Sequence, residues 1–564
     1  MCMRKLWMLC ACAFWLGSLC AQNTAVFDFF QYEGVNRFAA QAGKTRYQNP
    51  ILPGFMPDPS ICRKGDDYYL VNSTFGYFPG VPIWHSTDLV NWVQIGHVLN
   101  RESQLRLGST RMSGGVYAPA IEYNPHNNLF YMITTGTGYG STTIVTTDDP
   151  KKQNWSDPIA LNDVRGIDPS LFFDDDGKAY IVNNDAPAYP AEYDGHRAIW
   201  IREFDWKAGK TVSRQQVIVD KGVRKEDKPI WIEGPHLYKV DGIYYLMAAE
   251  GGTAEWHSEV VFSATHPLGP YTPCKINPIL TQRHLPGDRP NPVTSTGHAD
   301  LVQTAAGDWY AVFLACIPYR EGLYNTGRET FMLPVKWQDQ QPVILPEGEV
   351  VPYFVEKSAE QLRLERKSRQ KGTDFYHPGP LWTKKGLSDA ALFIRNPAGG
   401  FWQVDNKGRL HLIPKETGIH ELANPAFIGQ RITSWTFTAT ASMNFIPAAP
   451  HEFAGIVCFQ NEAHYIQFGK TVDASTGLPM LLLEAVKGGR SISRDSAALT
   501  GAAMQGRLLL RVTAEVPDAY VFSFSADKGR TWTQVGPPQD ATLLSTRVAS
   551  GFQGATVGVY ATRQ

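Results

Sequence analysis

Between Asp58 and Tyr310 one pattern of small, apolar and aromatic positions returns five times. Each copy opens on a Xaa-Pro or comparable small-residue step, passes through an apolar residue and a polar turn, and ends in an aromatic-rich run of strand character. The copies are Asp58-Pro-Ser-Ile61 leading to Tyr68-Tyr69, Ala118-Pro-Ala-Ile121 leading to Phe130-Tyr131, Asp168-Pro-Ser-Leu171 leading to Tyr180, Gly234-Pro-His-Leu237 leading to Tyr244-Tyr245, and His298-Ala-Asp-Leu301 leading to Trp309-Tyr310. They lie about fifty to sixty-five residues apart, the length of one four-stranded propeller blade. Turn pairs such as Asp176-Gly177, Asp241-Gly242 and Gly307-Asp308 punctuate the runs, and helical periodicity is almost absent. The pattern predicts a five-bladed β-propeller over 48–352.

Upstream, 23–47 reads as a short exported leader and first strand, with Phe27 to Phe30 as an apolar anchor. Downstream, charged residues crowd the stretch from Glu356 to Lys371, which reads as a short helix or a solvated connector, and 353–374 is expected to be a linker at the domain boundary. From 375 to 564 alternation resumes, with strands expected at Trp435 to Phe445, Ala454 to Gln460, Tyr465 to Gly469, Met480 to Val486, Arg507 to Ala514, Tyr520 to Ser525 and Thr556 to Ala561. That reads as a β-sandwich of jelly-roll, concanavalin-like type. The run from Ser525 to Trp532 matches an aspartate-box hairpin, a structural turn. The fold class is therefore all-β, a propeller followed by a sandwich.

The repeat points to chemistry through its variation. One position per blade that faces the central channel brings five residues together, and here those positions carry Asp58, Ala118, Asp168, Gly234 preceded by Glu233, and His298. Three carboxylates converging on one axis raise one another's pKa, a cost expected where a hydrolase needs an acid and a base. Glu233 is the natural acid, with a long arm and apolar neighbours from Ile230 to Ile232; Asp58 is the natural base. Taken singly, each motif reads as well as a turn whose side chain caps backbone amides.

Composition sets the surroundings of that chemistry. A chain of 564 residues, 19% charged and 43% hydrophobic, has material for two cores, and a 12% aromatic share suits strand-rich folds and sugar-stacking surfaces. Residues 1–21 read as a secretory signal, with Arg4 and Lys5 ahead of an apolar run too short to span a bilayer. The expected location is secreted or periplasmic. Bulky Leu19 before Cys20 argues against a lipid anchor. Cleavage leaves Cys62, Cys274, Cys316 and Cys458, too few and too dispersed for a disulfide framework or a zinc site. Loss of Arg4 and Lys5 takes the formal charge from −1 to about −3, which excludes nucleic acid and anionic membranes as natural partners and favours a neutral substrate.

Several blocks carry a resemblance. Asn49-Pro-Ile-Leu-Pro-Gly-Phe-Met-Pro-Asp58-Pro-Ser, Ser73-Thr-Phe75-Gly-Tyr-Phe-Pro-Gly, Gly114-Gly-Val-Tyr-Ala-Pro119, Gly166-Ile-Asp168-Pro-Ser-Leu-Phe, Glu233-Gly-Pro-His-Leu-Tyr238, Ala249-Glu-Gly-Gly252, Gly297-His298-Ala and Gly327-Arg328-Glu-Thr330 are similar in order and spacing to glycoside hydrolase family 43, particularly its β-xylosidases. The resemblance extends through the appended sandwich, to Gly551-Phe-Gln-Gly-Ala-Thr-Val-Gly558. It implies hydrolysis of xylosidic or arabinofuranosidic bonds in an oligosaccharide or polysaccharide with inversion, with Asp58 as general base, Asp168 as the residue that orients the acid and tunes its pKa, and Glu233 as general acid. Arg328 would stand near the base and the sugar hydroxyls. Phe75 would form an aromatic wall and Phe552 close over the pocket from the sandwich. No cofactor is required, and His298 would lie in the channel where relatives often hold a structural calcium.

The chain departs from the family at Tyr117, where a Trp is usual, and in the stretch Asn183 to Gly195, so the choice between β-xylosidase and α-L-arabinofuranosidase stays open. On its own His298 reads more readily as a satisfied structural histidine than as a metal ligand. Arg328 has Glu329 beside it as another partner. Trp256 and Tyr77 read equally as subsite or core residues. The rival to an enzyme is a catalytically inactive carbohydrate-binding propeller, which would have no need of three carboxylates.

Overall fold

The computed structural model describes residues 23–36, 43–137, 141–368 and 378–564. The expected signal at 1–21, with Cys20, and the 369–374 part of the expected linker lie outside the described residues. Five antiparallel sheets follow one another along the chain, their first strands at Ser60–Lys64, Gly115–Asn124, Ile167–Phe173, Glu233–Val240 and Thr294–Gln303. Each first strand touches its neighbours in turn and the fifth returns to the first, closing a ring around the channel. The second strands, among them Asp67–Val71, Ile243–Glu250 and Trp309–Cys316, are buried along nearly their whole length. A strand packed by a blade on each face has no polar side. That is why the doubled aromatics Tyr68-Tyr69 and Tyr244-Tyr245 both lie inside.

The repeat has a backbone cause. Asp58, Ala118, Asp168, Gly234 and His298 all adopt left-handed backbone, with φ between 29° and 56°. In four blades that residue sits in a break of register between the first and second strands. Such a bulge turns a side chain towards the axis. For the four residues with a Cβ it costs roughly 1–2 kcal/mol each, a strain that persists where function requires it.

The C-terminal part is two sheets face to face. One runs, in order, Trp402–Val404, Leu410–Leu412, Ala25–Gly34, Phe437–Asn444, Leu508–Val516, Ala519–Ser525 and Thr533–Gln534; the other runs Ala426–Arg431, Thr556–Thr562, Phe453–Asn461, His464–Val472, Pro479–Lys487 and Arg490–Ala498. The reading of 23–47 as a leader is thereby corrected. Ala25–Gly34 is an internal strand of the sandwich, paired on both sides, with Phe27 fully buried and Phe30 nearly so. Within the expected linker, Phe354–Glu356 pairs with Arg46–Gln48, and Ser358 caps the helix Ala359–Lys367. The aspartate box is a turn, with Asp527 accepting from the Thr531 amide and hydroxyl. Cys62, Cys316 and Cys458 are buried, Cys274 is half-buried, and all four are free.

One hydrophobic core crosses between the two parts. It joins Cys62, Tyr69, Val116 and Phe130 of the first two blades to Phe437, Leu510, Ile456 and Val559 of the sandwich. Tyr77–Phe78 also pairs with Phe393–Ile394, and Tyr77, fully buried with its hydroxyl at 3.1 Å from Thr556 Oγ1, is a core residue. Phe27→Ala is expected to remove ~3–5 kcal/mol of stability from the sandwich. Denaturant unfolding measures this, and an unchanged midpoint would contradict the placement of the N-terminal strand.

Candidate active site

Asp58, Asp168, Glu233, Phe75, Tyr117, His298, Arg328 and Phe552 line a single cavity of about 370 Å³. At its end Asp58 is held from several sides. Arg328 reaches both carboxylate oxygens, Nη1 at 2.9 Å and Nη2 at 3.4 Å, and the Ser73 hydroxyl donates to Oδ2 at 2.6 Å. Ser73 Oγ in turn accepts the Ala118 N–H at 2.7 Å. Glu329 turns instead to the Gly54 amide at 2.7 Å, which settles Arg328's partner as Asp58. The guanidinium further donates to Thr253 Oγ1 at 3.0 Å and, from Nε, to the Phe552 carbonyl at 3.4 Å.

Asp168 and Glu233 come from adjacent blades. Asp168 Oδ2 accepts the Gly234 N–H at 3.1 Å, so its charge lies beside the glutamate's own backbone. A side chain at Gly234 would press on the His298 ring, since a Cβ would stand 3.0 Å from it. Glu233 is therefore one residue out of the repeat register, at the position held by Tyr117, Ile167 and Gly297 in other blades. Two carboxylates, not three, occupy the strictly equivalent site.

Burial, and then the charge of Asp58, push the Asp168 carboxyl up to about 7. Burial, followed by the charges of Asp168 and Asp58, holds Glu233 well above the ordinary carboxylate range. Burial pushes His298 down to about 4, leaving its imidazole neutral at neutral pH. A carboxyl group held well above the ordinary range and a second one paired to arginine thus share one cavity, the two kinds of group that acid-base hydrolysis requires.

Aromatic rings wall the cavity. Phe75 stacks near Phe552 with centroids 5.8 Å apart, and Tyr117 meets both edge-on at 5.1 and 5.9 Å. Phe552 arrives from the sandwich because Gly327 and Gly554 let two chains touch; a Cβ on Gly327 would lie 2.7 Å from the Gly554 nitrogen. Gln553, fully buried, fixes the contact through its Oε1, which accepts the Ser113 hydroxyl at 3.0 Å and the Phe552 N–H at 3.2 Å. Ser113 in turn accepts the Tyr117 hydroxyl on its carbonyl at 2.6 Å. Gln553, Ser73 and Thr253 escaped the sequence reading. Each adjoins a quoted block or lies inside one, but nothing in a polar residue's identity says which carboxylate or ring it will hold.

A larger outer cavity of about 1090 Å³ opens from this one, and Tyr117, Ile167, Glu233, Thr253 and Phe552 belong to both. Its own walls include Asn184 and Trp231, over whose ring the Arg197 guanidinium lies at 4.2 Å. Glu233 therefore stands in the partition between a small inner space and a wide outer one.

The expected metal role of His298 finds little support in the donor set. Calcium takes six to eight oxygen ligands. Among the described residues no three His, Cys, Asp or Glu side chains are spaced to hold a metal, and Asp58, at 3.8 Å from His298 Nδ1, already serves Arg328 and Ser73. These side chains do not form a calcium cage.

Residues 47–342 match the model of glycosyl hydrolases family 43, and 383–564 match the β-xylosidase C-terminal concanavalin A-like domain. A xylosidase/arabinosidase of Butyrivibrio fibrisolvens is 38% identical over 91% of this chain and 95% of its own length. A non-reducing end α-L-arabinofuranosidase of Bacteroides ovatus is 34% identical over 91% of each chain. Among solved structures, a GH43_12 protein retrieved from capybara gut metagenome superposes with a TM-score of 0.85 at 40% identity, covering 96% of this chain and 99% of that one.

The paired buried charges make a direct prediction. Arg328→Ala leaves Asp58 buried and unpaired and is expected to cost ~3–5 kcal/mol. Adding Asp58→Asn should return much of that loss, because no uncompensated charge remains. Denaturation midpoints of the three variants decide it; additive losses would contradict the pairing.

Proposed function

This chain belongs to glycosyl hydrolases family 43, and from that premise we propose that it removes terminal xylosyl or arabinofuranosyl residues from plant polysaccharide-derived oligosaccharides with inversion. The observation that carries the reading is the place of Glu233, in the wall shared by the inner and outer cavities, with its carboxyl held protonated by burial and two negative neighbours. A terminal sugar in the inner cavity and the rest of the chain in the outer one would put the glycosidic oxygen beside that acid. The names of the relatives, xylosidase/arabinosidase and arabinofuranosidase, support the same class of bond.

The proposed reaction is a single displacement. Asp58 takes a proton from a water that attacks the anomeric carbon from the face opposite the leaving group. As the new C–O bond forms and the glycosidic C–O bond breaks, Glu233 gives its proton to the departing oxygen. The sugar leaves with inverted anomeric configuration and the chain leaves one residue shorter. Asp58, now protonated, and Glu233, now a carboxylate, reset through solvent. Asp168 acts on the acid by its charge, and Arg328 keeps the base oriented and compensated. The aromatic end formed by Phe75, Tyr117 and Phe552 stops the chain after one residue, which favours exo action. Residues 1–21, read as a signal, would deliver the enzyme outside the cytoplasm, where such polysaccharides are met.

Product stereochemistry and the kinetics of three variants test this reading against a propeller that only binds sugar. Proton NMR of the product first formed from an aryl β-xyloside or α-L-arabinofuranoside should show the inverted anomer; no turnover, or retention, would contradict the proposal. Glu233→Gln is expected to lose about 10²–10⁴-fold on poor leaving groups and far less on acidic phenols, which need no proton. Asp58→Asn should fail on both. Because Glu233 works protonated, activity falls as pH rises through its pKa, and Asp168→Asn, which removes a negative neighbour, should move that alkaline limb of kcat/KM to lower pH. A limb that stays in place would show that Asp168 does not tune the acid.

A further inference from the structure

Beyond a narrow rib from the outer cavity lies another open groove, of about 1080 Å³. The rib is two short pieces of chain, Ile230-Trp231 and Gly251-Gly252, joined where the Gly251 N–H donates to the Ile230 carbonyl at 2.8 Å. Trp231 and Gly252 face the outer cavity, whereas Ile230 and Gly251 face the groove. At the groove's rim stands Trp256, 59% exposed, the most exposed large hydrophobic residue among those described. Its ring packs against His284, with centroids 5.0 Å apart and planes at 75°, and more than half of the residue still faces solvent.

An exposed indole that continues into an apolar strip and is rimmed by polar residues presents a stacking surface. Ile230, 41% exposed, continues the apolar strip towards the rib. Polar groups stand beside it. Glu250, largely buried, takes the Val223 N–H on Oε2 at 3.2 Å, and the side chains of Arg283, Arg224 and Lys228 line the same groove. A flat apolar face beside a separate acceptor and donor is the chemistry that holds a sugar ring, whose C–H face stacks while its hydroxyls pair. Charge does not favour an ionic ligand, because Arg224, Lys228 and Arg283 are matched by Asp227, Glu250 and Glu347.

We propose that this groove binds the leaving portion of a long neutral glycan whose terminal residue occupies the catalytic cavity, with Trp256 as the stacking platform. The inference rests on the function proposed above. Thr253 lines both parts of the catalytic cavity and Trp256 follows three residues later, at most about 11 Å along the chain, within reach of an oligosaccharide crossing the rib. Trp256 touches no group assigned to the chemistry.

The test compares wild type, Trp256→Ala and Trp256→Phe on a chain-length series of the pentosyl linkage the wild-type enzyme cleaves. Loss of the platform should lower kcat/KM on long oligosaccharides about 3- to 10-fold, chiefly through KM, and leave the aryl glycoside and the disaccharide unchanged. Trp256→Phe should restore most of the loss. An equal effect on short and long substrates, or no effect on long ones, overturns the platform while leaving the catalytic reading intact. A wild-type protein that cleaves no xyloside or arabinofuranoside brings down the catalytic reading and this inference with it.

Discussion

One guanidinium faces three carboxyl groups in a cavity walled by aromatic rings, and the site is organised by that imbalance. Taking an ion out of water costs several kcal/mol unless an opposite charge meets it with good geometry. Of the three carboxyl groups, Arg328 hydrogen-bonds to Asp58 alone. No such contact reaches Asp168 or Glu233, on which Arg328, and for the glutamate also Arg197, act only through space. Burial, and then repulsion among the carboxyl groups, raise the affinity of both for a proton. Asp168 is raised to about 7 and Glu233 higher than an ordinary carboxylic acid, so the same shortage of positive charge that strains the cavity leaves an acid and a base side by side.

The arrangement depends on a propeller whose inner strands share one backbone irregularity and on a sandwich that reaches into it. The left-handed residues bring side chains from separate blades to the axis, and Gly234 gives up its own side chain to leave space for His298. From the other side, Gln553 ties Phe552 to Ser113, and Ser113 holds Tyr117. A core continuous from blades one and two into both sandwich sheets makes this contact rigid. Arg328 links the two parts at the site itself, holding Asp58 from one end and the Phe552 carbonyl from another.

Much of this was legible in the chain because the constraints are local and repeated. Five copies of one turn announce five blades, and strict alternation places sandwich strands such as Tyr520 to Ser525 within a residue or so of their observed ends. What escaped depends on partners far away in sequence. Ala25–Gly34 looks like a strand from its own residues, but only its pairing with Phe437–Asn444 says that it belongs to the sandwich. Arg490–Ala498 is an exposed edge strand, so its Ser and Arg residues carry no apolar signal. The one-residue offset of Glu233 was masked because Gly-Pro and Asp-Pro steps align so readily. Only the bulge shows which residue turns to the axis and which to the partition.

The central claim is that Glu233 stays protonated where ordinary carboxylates have ionised. Carbon-13 NMR of protein labelled at the glutamate side-chain carboxyl, with the Glu233 resonance assigned by its loss in Glu233→Gln, follows that proton directly. The account predicts a midpoint well above the usual value of 4.5, moving down when Asp168 is replaced by Asn. A Glu233 carboxyl that titrates near 4.5 and ignores Asp168 would contradict it.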